Sequence, residues 1–130
     1  MPPQGKMTTQ VFLLVLCAAL VTACANLMVR HGLVLAGGLS MQGDGIPGLL
    51  LRLAKQWTFV LGLAAFALAA LIWFRALSAA EVSICYPILV GLTFIMINVG
   101  AVLWLRESIS FLRIVGIGVI LAGIVLVART

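Results

Sequence analysis

The sequence predicts an all-α membrane protein, a bundle of four transmembrane helices joined by short loops. The chain has 130 residues, of which 65% are hydrophobic and only 8% are charged. Soluble domains carry roughly 25% charged residues, so this chain has too few charges to cover a surface in water. Its apolar residues also fall into four runs, each about the length of a bilayer-spanning helix, which needs roughly 20 residues. We therefore expect one membrane domain over residues 1–130.

Each apolar run ends at residues that favour the membrane–water interface. Arg30 and His31 close the first run, and Trp57, Trp73 and Trp104 lie near the ends of the next two, as in an aromatic belt. The first run lacks a convincing cleavage site, so we interpret it as a retained span rather than a signal peptide. The predicted spans are 11–29, 57–74, 82–105 and 111–128.

The first loop is the longest connection and contains its own helical pattern. Pro47 suits the first turn of a helix, and the apolar residues that follow share one side while Arg52 and Lys55 lean to the other. This pattern predicts a short amphipathic helix over residues 47–56, lying in the membrane interface. A loop without regular structure is the alternative.

The distribution of charge and of reactive side chains excludes several function classes. The net charge of +5 comes from basic residues that stand singly at the ends of apolar runs, which is not the clustered pattern of a nucleic-acid-binding face. The three cysteines lie inside apolar runs without metal-ligand spacing, so we interpret them as packing residues. No nucleophile stands beside a base. We therefore expect no enzyme, no metal, no cofactor and no nucleic-acid partner.

Small residues in the last span predict a close helix contact. Gly116, Gly118 and Ala122 lie near one side of that helix, and small residues let helix backbones approach in lipid. Two interpretations stand equally: the face packs within the chain, or it binds a second subunit.

A few polar residues lie within the spans, where a transporter needs them. Asn26 lies one turn before Arg30, and its amide needs a hydrogen-bonding partner because lipid offers none. The plainer interpretation is a hydrogen bond between helices. Tyr86 precedes Pro87, which removes a backbone donor and can bend the helix. No carboxylate lies deep in any span, which argues against proton-coupled export of cations.

The residues around these positions resemble a known family. The matching stretches cover most of the chain outside the first loop; they are Ala25–Arg30, Ile84–Leu89, Leu103–Ser110 and the glycine-rich Gly116–Leu126. They resemble the drug/metabolite transporter superfamily in its minimal four-span form, and are most similar to subunits of the 4-amino-4-deoxy-L-arabinose-phosphoundecaprenol flippase. The small multidrug resistance family is more distant, since its essential acidic residue is replaced at about Val21 and its tryptophan at Leu89.

The resemblance implies a function for the polar residues. It implies translocation of a polyprenyl-phosphate-linked sugar, or a similar anionic lipid, across the bacterial inner membrane by a homodimer or a heterodimer of four-span subunits. Arg30 would contact the phosphate, because a guanidinium suits that group, and otherwise it is a plain headgroup anchor. Glu107 would meet the sugar, or otherwise pair with Arg106 or Arg113. An exporter of the small multidrug resistance type and a non-transporting partner of a glycosyltransferase are the alternatives. The implied substrate-binding residues are Asn26, Arg30, Tyr86, Pro87 and Glu107.

Overall fold

The structure, a computed structural model, consists of helices throughout its described residues, which are 8–39, 43 and 45–129. Two of the charged residues, Lys6 and Asp44, lie outside these ranges. The helices are α1 (Thr9–Leu35), α2 (Gly45–Lys55), α3 (Trp57–Leu77), α4 (Val82–Leu103) and α5 (Phe111–Arg129). Four of them, all except α2, are long and apolar enough to span a membrane, so the predicted fold class is confirmed.

Helix α1 is longer than the predicted first span. It begins after Thr8, whose hydroxyl accepts a hydrogen bond from the Val11 N–H (3.2 Å), as an N-cap does. It continues past Arg30, because the long arginine side chain can extend from helical backbone to the headgroups at a membrane edge. It ends before Gly37 and Gly38, which both have positive φ. The end of α1 therefore carries Arg30 and His31 on helical backbone.

Helix α2 occupies the predicted amphipathic segment of the first loop. It has Leu53 buried and Arg52 and Lys55 in its last turn, and the Arg52 guanidinium donates to the Ala36 carbonyl at 3.2 Å. The helix therefore folds back onto the end of α1. Its location in the membrane interface stays a prediction.

Helix α1 lies at the centre of the bundle and contacts α3 and α4. Its small buried residues allow this contact, and glycines on its neighbours help: a Cβ on Gly62 of α3 would lie 2.6 Å from Val29 Cγ2. The buried residues are Val11, Val15, Ala18, Ala19, Ala23, Ala25 and Gly32.

The apolar core lies towards one membrane face, and helix α5 lies at the edge of the bundle. The largest fully buried side chains of this core are Val15, from the start of α1, and Cys85 and Ile88, from the start of α4. Helix α5 has no buried residue and packs mainly on α4. Cys17 and Cys24 are exposed on α1, so the predicted packing role holds within the chain only for Cys85. The opposite face, where α1 and α4 end, carries Arg30, His31 and Trp104.

Candidate functional site

The turn between α4 and α5 directs Glu107 back towards the bundle. Arg106 has a φ of 55°, a left-handed conformation that side-chain-bearing residues adopt at a cost. The Glu107 N–H donates to the Ala101 carbonyl at 3.0 Å, which fastens the reversed chain to the end of α4. The Ser110 hydroxyl then accepts from the Arg113 N–H at 3.2 Å and caps the start of α5. These local bonds explain why the turn reverses at this point.

The reversed turn brings Glu107 against the end of α1. Arg30 Nε lies 2.9 Å from Glu107 Oε1, so Glu107 pairs with Arg30 and not with either of the two arginines near it in sequence. The rings of His31 and Trp104 lie beside this pair, with centroids 5.2 Å apart and planes inclined at 32°. One cation, one carboxylate and two aromatic rings therefore meet at one membrane edge.

A cavity of about 330 Å³ opens at this cluster. We call it the head cavity; its lining residues are Arg30, His31, Val34, Trp104, Leu105 and Glu107. The side chain of Arg30 is 62% exposed and that of Glu107 is 35% exposed, so the charges face outward. An exposed ion pair contributes at most about 1 kcal/mol to stability. The pair is therefore better suited to exchanging partners with a charged ligand than to holding the fold.

The charges of the head cavity suit a ligand that carries both signs. The contact with Glu107 uses Nε, and the guanidinium has further N–H donors on its two Nη atoms that match the oxygens of a phosphate. A carboxylate accepts from an ammonium group, and an aromatic face suits the apolar side of a sugar ring or an amine. Such a ligand replaces one ion pair with two and leaves the total charge balanced.

Four polar side chains within the spans bond to their own helices, whereas the buried Thr58 hydroxyl of α3 has no hydrogen-bond partner among the described residues. The side chains of Thr22, Asn26, Thr93 and Asn98 each donate to the carbonyl four residues earlier, at 2.6–2.9 Å. This is the local bond that short polar side chains make in helices. The hydrogen bond that Asn26 makes is thus within α1. It is not the bond between helices that the plainer interpretation expects. Asn26 lies one turn below Arg30 and is half-buried, under the edge of the head cavity.

Tyr86 and Pro87 lie at the other end of α4, away from the head cavity. The Tyr86 ring lies 6.1 Å from the Trp73 ring. Tyr86 and Pro87 both line a separate cavity of about 320 Å³ between α4 and α5. At 1.5 Å per residue, Tyr86 and the end of α4 are roughly 26 Å apart, which is close to the bilayer thickness. The structure therefore pairs Arg30 with Glu107, leaves Asn26 one turn away on α1, and separates Tyr86 and Pro87 from them.

Sequence reasoning missed the two aromatic residues of the head cavity. The sequence identifies His31 only as a residue that closes the first span, and Trp104 only as an interfacial anchor. Each lies close in sequence to a predicted site residue, His31 after Arg30 and Trp104 before Glu107. That proximity was the available signal, but only the α4–α5 turn makes the two rings meet. Within the described ranges, no group of His, Cys, Asp and Glu suits a metal ion.

Comparison with known proteins gives relatives that include named flippase subunits. The chain is 33% identical over 124 residues to a probable 4-amino-4-deoxy-L-arabinose-phosphoundecaprenol flippase subunit ArnF of Shewanella sediminis, a match that covers 88% of this chain and 85% of that one. It is 28% identical over 120 residues to a probable subunit ArnE of the same flippase in Pseudomonas savastanoi, covering 91% and 96%.

A third relative has a higher identity over a shorter stretch. A probable ArnF subunit of Yersinia enterocolitica is 40% identical over 70 residues, which are 52% of this chain and 54% of that one. No family model matches the chain, and no solved structure matches it significantly. These three relatives carry the names of two subunits, ArnE and ArnF, of one flippase.

Proposed function

This chain belongs to the family of four-span subunits of the 4-amino-4-deoxy-L-arabinose-phosphoundecaprenol flippase, and we propose that it translocates a polyprenyl-phosphate-linked sugar across a bacterial inner membrane. Four apolar helices and relatives named as flippase subunits make it a multi-pass membrane protein of transporter type. Since the relatives carry two subunit names, we propose further that it works in a heterodimer with a second four-span chain.

The observation that carries this proposal is the Arg30–Glu107 ion pair at the head cavity. The substrate named for the relatives contains one phosphate and one amino group. In our proposal Arg30 binds the phosphate, Glu107 binds the protonated amine, and the Trp104 ring contacts the sugar. A charged head cannot enter hydrocarbon unpaired, so a site that already holds both countercharges lowers the cost of leaving the headgroup region.

The remaining predicted site residues have supporting roles in the proposal. Asn26 lies one turn below Arg30 and extends the polar surface towards the membrane interior. Tyr86 and Pro87 lie at the opposite membrane face, where the Tyr86 hydroxyl would meet the head as it leaves. Nothing charged occurs within the spans between these two ends, so the pathway must be completed by the second subunit.

Replacing Arg30 tests the proposal directly. We expect Arg30→Ala to lower the rate of flipping of the lipid-linked amino sugar at least about tenfold, because a charge-assisted hydrogen bond contributes roughly 1.5–3 kcal/mol and 1.36 kcal/mol corresponds to tenfold. The rate is measured in vesicles that contain both subunits, from the fraction of substrate accessible to a non-permeant reagent. Lys55→Ala is the matched control, since Lys55 is an exposed cation at the end of α2, near the same membrane face, and does not line the head cavity.

The same assay separates the alternatives. An unchanged rate in Arg30→Ala removes Arg30 from the site. If the wild type moves no lipid-linked sugar but takes up protons when small cations are added, it is an exporter of the multidrug type. If it does neither and is needed only for assembly with another enzyme, it is a non-transporting partner.

A further inference from the structure

The contact between α4 and α5 is incomplete along its length. The half-buried residues of α5 are Ile117, Ile120, Ile124 and Val127, and the last two pack against the apolar core that includes Cys85 and Ile88 of α4. Ile124 lies directly against Gly91, where any side chain would collide with it. The two helices therefore touch closely at that point and leave open volume beside it.

Two cavities follow one another in this volume, which we call the α4–α5 seam. The first has about 210 Å³ and the second about 320 Å³. Asn98 of the first lies one helical turn from Phe94 of the second, and Ile117 lies one turn from Ile120. The cavities are thus neighbours along both helices and open towards the surrounding lipid.

The seam begins beside the head cavity and ends at the opposite membrane face. Leu103 lines the first seam cavity, and the next two residues, Trp104 and Leu105, line the head cavity. Tyr86 lines the far end of the seam. The distance along α4 from Leu103 to Tyr86 is roughly 26 Å, against a hydrocarbon thickness of roughly 30 Å.

The lining of the seam suits hydrocarbon. It consists of aliphatic and aromatic side chains, and its polar exceptions are the Tyr86 hydroxyl and the Asn98 amide, which already donates to the Phe94 carbonyl. No charged residue lines either cavity. A hydrophilic ligand would find no partners there, whereas a hydrocarbon chain gains contact with branched side chains.

We propose that the α4–α5 seam binds the polyprenyl chain of the lipid whose head occupies the head cavity. This inference rests on the proposed function, because a chain attached to a bound head reaches the seam at high effective concentration. Surrounding lipid is as apolar as the seam, so selectivity comes from contact and shape and not from the hydrophobic effect. The seam is therefore a determinant of tail length and branching.

Two lipids and two variants test this inference. Binding to the reconstituted two-subunit protein is measured for the amino-sugar phosphate carried on a C55 chain and on a C10 chain, at equal mole fraction in the bilayer. We expect the wild type to prefer the C55 lipid about tenfold. Val99→Trp fills the first seam cavity, so it should abolish that preference while C10 binding persists. Val60→Trp is the control, since Val60 on α3 is similarly exposed (46%, against 52% for Val99) but lies outside the seam.

The possible outcomes distinguish the seam from the head site. Equal wild-type affinity for both lipids, or an equal loss of both in Val99→Trp, overturns the seam while the proposed function stands. Absence of binding of either lipid to the wild type overturns both proposals.

A second measurement does not depend on a variant that folds. A C55 substrate with a diazirine near the middle of its chain, at a distance from the phosphate that matches the far end of the seam, is photolysed on the wild-type protein, and the cross-links are mapped by mass spectrometry. We expect cross-links in Tyr86–Phe94 and at Ile120. Cross-links confined to the outer faces of α1 and α3 overturn the inference.

Discussion

At the scale of single residues, the head cavity depends on side chains that are far apart in sequence and adjacent in space. Arg30 is held on helical backbone, and Glu107 is held by a left-handed residue and a backbone hydrogen bond to Ala101. Their ion pair is solvent-exposed and contributes little to stability. Its position beside His31 and Trp104 therefore has more consequence for ligand binding than for folding.

A neutral replacement of Glu107 separates these two roles. We expect Glu107→Gln to leave the unfolding midpoint in detergent nearly unchanged, because the lost ion pair contributes at most about 1 kcal/mol. Flipping of the lipid-linked amino sugar should fall about tenfold, the loss of one charge-assisted contact. The same lipid without its amino group should be moved at the wild-type rate. If the variant slows both lipids equally, Glu107 acts only by positioning Arg30.

At the scale of helices, glycines have different surroundings in different parts of the bundle. A Cβ on Gly32 of α1 would lie 2.7 Å from the Phe59 backbone nitrogen of α3, and one on Gly100 of α4 would collide with Leu27. By contrast, a Cβ on Gly116, Gly118 or Gly123 of α5 would meet nothing within 4 Å. Gly32 and Gly100 therefore determine how closely the packed helices approach, whereas the three glycines of α5 lie on an open surface.

Alanine substitutions test this difference between glycines. We expect Gly32→Ala to lower the free energy of unfolding by about 1–3 kcal/mol, because α1 and α3 must separate to admit the methyl group. Gly123→Ala is the matched control and should leave stability unchanged or raise it by up to about 1 kcal/mol, since alanine is the better helix former. Both are measured by denaturant titration in mild detergent. Equal stability of the two variants would contradict the close approach of α1 and α3.

At the scale of the whole molecule, the two membrane faces and the two sides of the bundle differ. The apolar core lies at the face where α1 begins and α3 ends. The Arg30–Glu107 ion pair and the rings of His31 and Trp104 lie at the other face. Helix α1 packs against both α3 and α4, whereas α5 has no buried residue and leaves its glycines open. This asymmetry favours the second of the two interpretations of the glycine-rich face, contact with another subunit.

A bulky residue on α5 tests that assembly. We expect Gly118→Leu to keep the chain folded, because no neighbour within the chain lies near that position. Co-purification of the second four-span subunit should fall at least about tenfold, the loss of roughly 1.4 kcal/mol of close helix packing. Ala67→Leu is the control on the exposed surface of α3. Undiminished co-purification in Gly118→Leu would place the subunit contact elsewhere.

The sequence alone determined that this protein lies in lipid and which of its segments form helices. Only the tertiary structure decided which residues form its candidate site. Four uncharged runs predict four membrane helices because unpaired backbone groups cannot remain in lipid, and the amphipathic pattern after Pro47 predicts α2. The extension of α1 to Leu35 was missed, because a charged residue ends a hydropathy run without ending a helix. The Arg30–Glu107 pair, the His31–Trp104 contact and the distance of Tyr86 from both depend on how α1 lies against the turn after α4. Contacts between residues distant in sequence arise from packing, which neither hydropathy nor helical periodicity encodes.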